Sequence, residues 1–494
     1  MVITLLLTTL LLELLLYSRP LWQYRLPIII VLTFTIPGVT ASLLMLHPNW
    51  VGIVVALSSL GRLGNLFRIA QARMHNEYLR NATRRTSLTL GLAQLLLASL
   101  LTGVVSVSPP PSNLPASLAI LQVIVAAALL LFSVKNIVKT RYAQGSVFYS
   151  DKELPTVSLL IPARNETNDL EECLRSALAS DYPKLEIIVL DDCSQAKTSD
   201  IIKGFAHDGV RFVRGEEPSE HWLAKNQAYE KLRSEASGEL LLFCGVDVRF
   251  GSHAIKALVT ELQARDKQMI SVLPHRLSGS LAGAFIQPMR YWWELALPRK
   301  IFNRPPVLGT CWLIRSKSIE KLGGFKANSH SILPEAYFAR ELIKSSDYSF
   351  IRANDVLDIQ TFKSFSEQRA TALRTRYPQL RRRPENVLLL VALELLFLAG
   401  PFIGLTYGFI TNNESLLWLS ALSSGLLVVT HVLIVQITSP ANTVIALINF
   451  PVEVLTEVVI ALMSMTRYEF GTVEWKDRNV CIPVMHVIPH LPKD

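Results

Sequence analysis

Two short segments carry groups that could grip a nucleoside. Pro162-Ala163-Arg164-Asn165-Glu166 closes one β-rich run, and Asp191-Asp192-Cys193-Ser194 closes the next. Carboxylates at adjacent strand ends accept hydrogen bonds from a base N–H and from ribose hydroxyls. Either segment alone has a plainer reading, since Asp192 and Ser194 are good caps for a following helix. Both in order, one strand-and-helix unit apart, favour the nucleoside. The cysteines suggest less. There are five, at 173, 193, 244, 311 and 481, with no Cys-x-x-Cys pair. An odd count without that spacing argues for buried, reduced thiols rather than a disulfide framework or a zinc site.

Strand-end groups need a sheet to hold them. Val157–Ile161, Leu185–Leu190 and Leu240–Cys244 are short apolar runs rich in β-formers, with helical spacing over Leu170–Ala179 and about 222–235 between them. Strands alternating with helices predict a mostly parallel α/β sheet, with ligands at the C-terminal strand ends.

In these motifs the chain resembles family 2 glycosyltransferases with the GT-A fold, a Rossmann-like mixed sheet. VSLLIPARNE followed by EIIVLDDCS matches the family's opening, and His221-Trp222-Leu223-Ala224-Lys225 is similar to the W-x-G-K loop of membrane-bound members associated with hopanoid and carotenoid glycosylation. The resemblance implies that Pro162, Arg164, Glu166, Asp191, Asp192 and Trp222 line the donor site, and that Lys225 lies near the donor's diphosphate. It further implies a divalent cation, Mg²⁺ or Mn²⁺, at the family's Asp-x-Asp. Here only the second acid remains, as Asp247, and Gly245 replaces the first. Gly309-Thr310-Cys311-Trp312 matches the acceptor-side strand, and Gly323-Gly324-Phe325 the G-G-F turn, so Gly309 and Gly324 are expected at the substrate. By the Ala339-Arg340 register, Glu335 takes the place of the catalytic aspartate and Pro334 that of the preceding acid. The segment around Gln368-Arg369 lacks the Q-x-x-R-W of processive synthases, and Trp475-Lys476-Asp477-Arg478 resembles the family's W-K-G-R tail.

Composition supplies the setting. Of 494 residues, 50% are hydrophobic and 18% charged, against roughly 25% charged in soluble domains. Disorder is excluded by the same numbers. The apolar residues gather at both ends, giving candidate membrane spans at 1–16, 26–46, 50–67, 88–107, 117–134, 386–410, 416–437 and 442–465. The last contains Glu453 and Glu457, which would line a protein interior or mark an interfacial or re-entrant segment. Net charge is +9, concentrated in basic clusters at 62–85 and 363–383 that border the spans and read as cytoplasmic anchors on anionic headgroups. No aromatic-interleaved basic motif points to nucleic acid. Trp292 and Trp293 fit an interfacial aromatic belt or a sugar- or lipid-stacking platform.

The expected organisation is an N-terminal membrane region over 1–147 with about five helices, a cytosolic GT-A domain over 150–384, a C-terminal membrane region over 386–470 with two or three helices, and a tail over 471–494. The N-terminus would lie outside a multi-pass cell (inner) membrane. The expected reaction moves a sugar, with inversion, from a nucleoside-diphosphate sugar to a membrane lipid or lipid-linked acceptor, with Glu335 as base. A processive polysaccharide synthase and a catalytically inactive membrane scaffold or sensor are the alternatives.

Overall fold

A computed structural model describes residues 25–46, 50–71, 114–142, 151–277, 288–296 and 305–481, apart from 196, 220, 221 and 477, together with scattered positions in 6–16 and 86–94. Most of the candidate spans 1–16 and 88–107, the basic run 72–85, His221, Asp477 and the tail beyond 481 lie outside these residues. The chain divides into two compact units, one of residues 1–118 with 380–396 and one of residues 119–379 with 397–494.

The first unit contains α1 (Arg25–Leu46) and α2 (Trp50–Gln71). Leu16, Ile29, Leu32, Ile36 and Leu66 form its apolar core. Its polar centre differs from expectation. Arg62, read as a headgroup anchor, is buried, and its Nη2 lies 2.6 Å from Glu13 Oε2. Arg62 Nη1 also donates to Gln94 Oε1 at 2.6 Å. An arginine that meets a carboxylate and an amide inside a bundle is paired rather than drawn to the surface.

The second unit takes up α3 (Leu114–Lys139) from residue 119 onward, followed by β1 (Val157–Ala163), α4 (Asn168–Leu178), β2 (Leu185–Asp191), α5 (Thr198–Gly204) and β3 (Val210–Arg214). Next come α6 (Ala224–Glu235), β4 (Leu240–Cys244), β5 (Val248–Phe250), α7 (Ala254–Ala264), β6 (Met269–Leu273), β7 (His275–Leu277) and α8 (Pro288–Leu295). Then follow β8 (Cys311–Arg315), α9 (Ser316–Lys321), α10 (Pro334–Lys344), β9 (Tyr348–Arg352), β10 (Ile359–Phe362) and α11 (Phe365–Gln379). The seven-stranded sheet has the order β3-β2-β1-β4-β8-β6-β9. Its first four strands are parallel, and β8 runs antiparallel to β4 and β6. This is the mixed α/β sheet expected of a GT-A-like domain.

Both faces of the sheet are covered, which is why its strands read as continuous apolar runs. Leu159, Ile161, Ile187 and Val189 enter one core with α4 and α7. Leu160, Ile188, Leu190, Phe243 and Trp312 enter the other with α6 and α10. Each such buried side chain contributes roughly 1.5–3 kcal/mol. A second sheet, β5-β10-β7, stands beside the first.

Three helices among the described residues are long and apolar enough to cross a membrane: Pro115–Lys139 within α3, α12 (Pro384–Ile410) and α13 (Glu414–Thr438). After them, α14 (Phe450–Glu469) leads to a hairpin of β11 (Glu474–Trp475) and β12 (Arg478–Asn479). Glu453 and Glu457 on α14 face the protein interior. Glu453 meets His431 and Asn449, and Glu457 Oε2 accepts from Arg376 Nη2 at 2.7 Å. Trp292 is no membrane-belt residue either. It is buried, stacks on Phe450 with ring centroids 5.1 Å apart, and donates through Nε1 to His431 at 3.2 Å.

Candidate active site

The predicted groups gather at one edge of the main sheet. β1, β2 and β4 end there and the antiparallel β8 begins there, so their terminal residues are neighbours. Pro162 pairs across from Leu190 and Ala163 from Asp191, and the Asp192 N–H donates to the Ala163 carbonyl at 2.8 Å. Arg164 Nη1 donates to the backbone carbonyls of Asp192 and Cys193, at 2.6 and 3.0 Å. It thus ties the two nucleoside segments together. Asp191 is turned to its own loop, accepting from the Ser194 N–H at 3.1 Å and from the Ser199 hydroxyl. Asn165 and Cys193 take positive φ, of 49° and 53°, at the two strand ends. These tight turns are what aim the following side chains off the sheet edge.

The hairpin β11–β12 docks on the same edge. Arg478 Nη1 lies 2.8 Å from both carboxylate oxygens of Asp192, and Lys476 Nζ lies 3.0 Å from Glu166 Oε1. Arg164 Nε donates to the Lys476 carbonyl at 2.9 Å. Burial pushes the Glu166 carboxyl above its ordinary pKa, and Lys476 pulls it back. The sequence alone does not announce these partners. Only the tail motif hinted that a distant Lys and Arg belong here.

On the other side, β4 leads into Gly245 and Asp247. The Gly245 N–H donates to the Thr310 carbonyl at 3.0 Å, so the β4 end abuts the loop before β8. The adjacent Gly309 faces Glu335 so closely that an added Cβ would lie 2.5 Å from Oε1. Only a residue without a side chain leaves that carboxylate its place. Glu335 sits in the first turn of α10 behind Pro334, is 3% exposed, and its Oε2 has no hydrogen-bond partner among the described residues. A backbone line therefore runs from Asp247 through Gly245, Thr310 and Gly309 to Glu335.

Lys225, in the first turn of α6, places its ammonium 5.1 Å from the centre of the Tyr229 ring. Burial drives its pKa down to about 8, against the pull of Glu335 and Asp247. Trp222 precedes it, half-buried against the core beneath α6. Gly324 has a different setting. At φ 61°, an added Cβ there would come 2.8 Å from Glu230 Oε2, so the glycine serves the close fit of its turn against α6.

Part of the basic cluster at 363–383 turns inward instead of meeting headgroups. Lys363 Nζ lies 3.5 Å from Asp247 Oδ2. Arg374 stands over the Trp475 ring at 5.1 Å, and burial lowers its pKa to about 10, with Glu335 among the groups that oppose the shift. Arg376 pairs with Glu457, whereas Arg369, Arg381 and Arg383 remain exposed. Arg276 is also close enough to feel Asp247. It is 6% exposed and bonds Tyr291, and its Nε and Nη2 have no hydrogen-bond partner among the described residues.

This donor set bears on the divalent cation that the resemblance implied. Mg²⁺ and Mn²⁺ prefer several oxygen ligands. Asp247 offers one carboxylate, already faced by Lys363, and its Oδ1 would lie 2.5 Å from a Cβ at 245. Among the described residues no group of three or more His, Cys, Asp or Glu could hold a metal. The residues present do not fit a divalent ion.

The sequence profile described as Glycosyl transferase family 2 matches residues 158–323. Among curated relatives, the probable glycosyltransferase YdaM of Bacillus subtilis is 32% identical over 184 residues, which is 35% of this chain and 44% of YdaM. The 4,4'-diaponeurosporenoate glycosyltransferase of Staphylococcus haemolyticus is 27% identical over 124 residues, 25% of this chain and 32% of the relative. The chain thus spans less than half the length of these relatives. Among solved structures, mannosyltransferase PcManGT from Pyrobaculum calidifontis, in complex with GDP-Man and Mn²⁺, shares 18% identity at a TM-score of 0.44, covering 72% of this chain and 98% of its own. Staphylococcus aureus TarS 1-349 with UDP-GlcNAc shares 14% identity at a TM-score of 0.32, covering 64% and 92%. The match over residues 158–323, on a mixed sheet whose loops converge at one edge, makes the centre of this chain a family 2 glycosyltransferase domain.

Proposed function

We propose that the chain transfers a sugar from a nucleoside-diphosphate sugar to the hydroxyl of a membrane lipid or lipid-linked acceptor, with inversion. The observation that carries this reading is the line from Asp247 to Glu335 along the β4 and β8 ends, with Lys225 close enough to feel both acids. Glu166 and Asp192 take the nucleoside after exchanging their contacts with Lys476 and Arg478. Lys225 and Lys363 face the diphosphate as point charges. The acceptor oxygen attacks the anomeric carbon on the face opposite the diphosphate. Its proton passes to Glu335, and the sugar–phosphate C–O bond breaks with its electron pair on the departing nucleoside diphosphate. Glu335 suits the base role because one carboxylate oxygen has no partner among the described residues.

Three helices long and apolar enough to cross a bilayer support a lipid acceptor that arrives by lateral diffusion. The test has two arms. Lipids from cells with and without the gene are compared by mass spectrometry for a hexose-sized difference. Purified protein is then assayed for transfer from labelled UDP- and GDP-sugars to extracted lipids. Glu335→Gln should lower transfer by about 10²–10⁴-fold, the usual worth of a positioned base, with nucleotide affinity preserved. Undiminished transfer by that variant removes the base assignment. Nucleotide binding with no transfer to any lipid supports a sensor instead.

A further inference from the structure

Several cationic side chains gather around Asp247. Lys363 is 3.5 Å from Asp247. Arg276 is almost fully buried and bonds Tyr291, but among the described residues its Nε and Nη2 lack a hydrogen-bond partner, as does the buried Arg290 Nε. Lys225 and Arg374 stand over Tyr229 and Trp475 on the Glu335 side. Asp247 and Glu335 are acids that act on Lys225, Arg276, Lys363 and Arg374, and Asp169 also lies close enough to Asp247 to feel it. Buried guanidinium N–H groups almost always find acceptors, and an unanswered buried charge costs several kcal/mol. Open guanidinium donors beside a lysine–aspartate pair describe a site for a multiply charged anion.

We propose that this cluster binds a diphosphate through fixed side-chain cations, Lys363, Arg276 and Arg290 with Lys225 and Arg374, in the place where a divalent metal ion would otherwise stand. The inference rests on the glycosyl-transfer reading for the identity of that diphosphate, but not for its binding. Asp247 then serves as a counter-ion that positions Lys363, and Gly245 leaves room for its side chain. When the sugar–phosphate bond breaks, the new charge on the leaving oxygen is met by ammonium and guanidinium groups that are already in place. Burial holds the pKa of Lys225, Lys363, Arg276 and Arg374 below their ordinary values, and an incoming dianion would reverse that cost.

The experiment is isothermal titration of the full chain in nanodiscs with UDP, GDP and inorganic pyrophosphate, in EDTA and again with Mn²⁺. Expected is binding of pyrophosphate and of at least one nucleotide in EDTA, with Mn²⁺ changing Kd by less than about threefold (under 1 kcal/mol). Lys363→Met and Arg276→Met should each weaken binding by about tenfold or more, as expected for loss of a close charge pair, and Lys363→Arg should restore it. Binding that appears only with Mn²⁺ overturns the proposal, as does wild-type affinity in both methionine variants. The wild-type comparison stands even if a variant fails to fold. Pyrophosphate bound in EDTA with neither nucleotide bound upholds the anion site and counts against the donor reading. No binding of any probe removes both.

Discussion

Lys225 sits where two demands conflict. Burial, with Arg374 and Lys363 nearby, favours the neutral amine, while Glu335 and Asp247 favour the ammonium, and the balance leaves a pKa of about 8 rather than the ordinary 10.5. Two consequences run in opposite directions with pH. Between about 8 and 10.5 the unfolded chain keeps a proton that the folded chain has lost, so this group makes the free protein more stable as pH rises through that window. Diphosphate binding needs the ammonium, so affinity should fall as pH passes about 8, towards a tenfold drop per unit if Lys225 dominates. Titrations of UDP and pyrophosphate across this range check the second effect, and Lys225→Met should flatten the profile. A wild-type profile with no change up to pH 9.5 would contradict the placing of Lys225 at the phosphates. Lys225, Glu335 and Asp247 could all be picked out in the sequence, because each lies in a short motif. Lys363 and Arg276 could not. A lysine in a basic run beside apolar helices looks the same whether it meets headgroups or turns inward to an aspartate.

Among the elements, α11 and α14 show how a misread charge becomes a structural part. Arg376 of α11 and Glu457 of α14 are both buried, and their ion pair joins the segment after the sheet to the last helix. Breaking one half strands a charge, whereas replacing both restores an apolar contact. Glu457→Leu should therefore destabilise the protein by about 3 kcal/mol, and Glu457→Leu with Arg376→Leu should recover most of that loss. Thermal unfolding in detergent checks both. Equal losses in the single and double variants would show that the pair contributes little by its charge. The strands β1, β2 and β4 and the helices α4 and α6 were legible almost to their ends, because a sheet covered on both faces needs unbroken apolar runs. The strands β5 and β7 have three residues each, too few to show a period, so the second sheet left no trace in the sequence.

At the scale of the molecule, the second unit fuses its membrane-type helices to the transferase domain through one core. Phe243 and Trp312 of the sheet, Trp292 of α8, Leu427 of α13 and Phe450 of α14 belong to the same apolar cluster. At the foot of α3, Asn136 donates to the Leu295 carbonyl at 2.8 Å, and the Thr140 carbonyl accepts from Arg352 at 2.8 Å. We propose a cytoplasmic placing of this domain, the one expected from the loop charges. Protease should accordingly degrade residues 151–379 in inside-out vesicles and spare them in intact spheroplasts, as read by immunoblot. The reverse pattern would invert the proposed topology. Hydropathy made the apolar blocks visible, but it could not separate a lipid-facing helix from one such as α14, whose acids are answered inside the protein.

The hairpin adds a constraint of timing. Arg164 and Lys476 touch across 312 positions of sequence, and between them lie α12, α13 and α14. A growing polypeptide cannot complete the rim around Glu166 and Asp192 until these helices have left the ribosome. The order of translation would thus keep a half-inserted chain from presenting a finished nucleotide cleft.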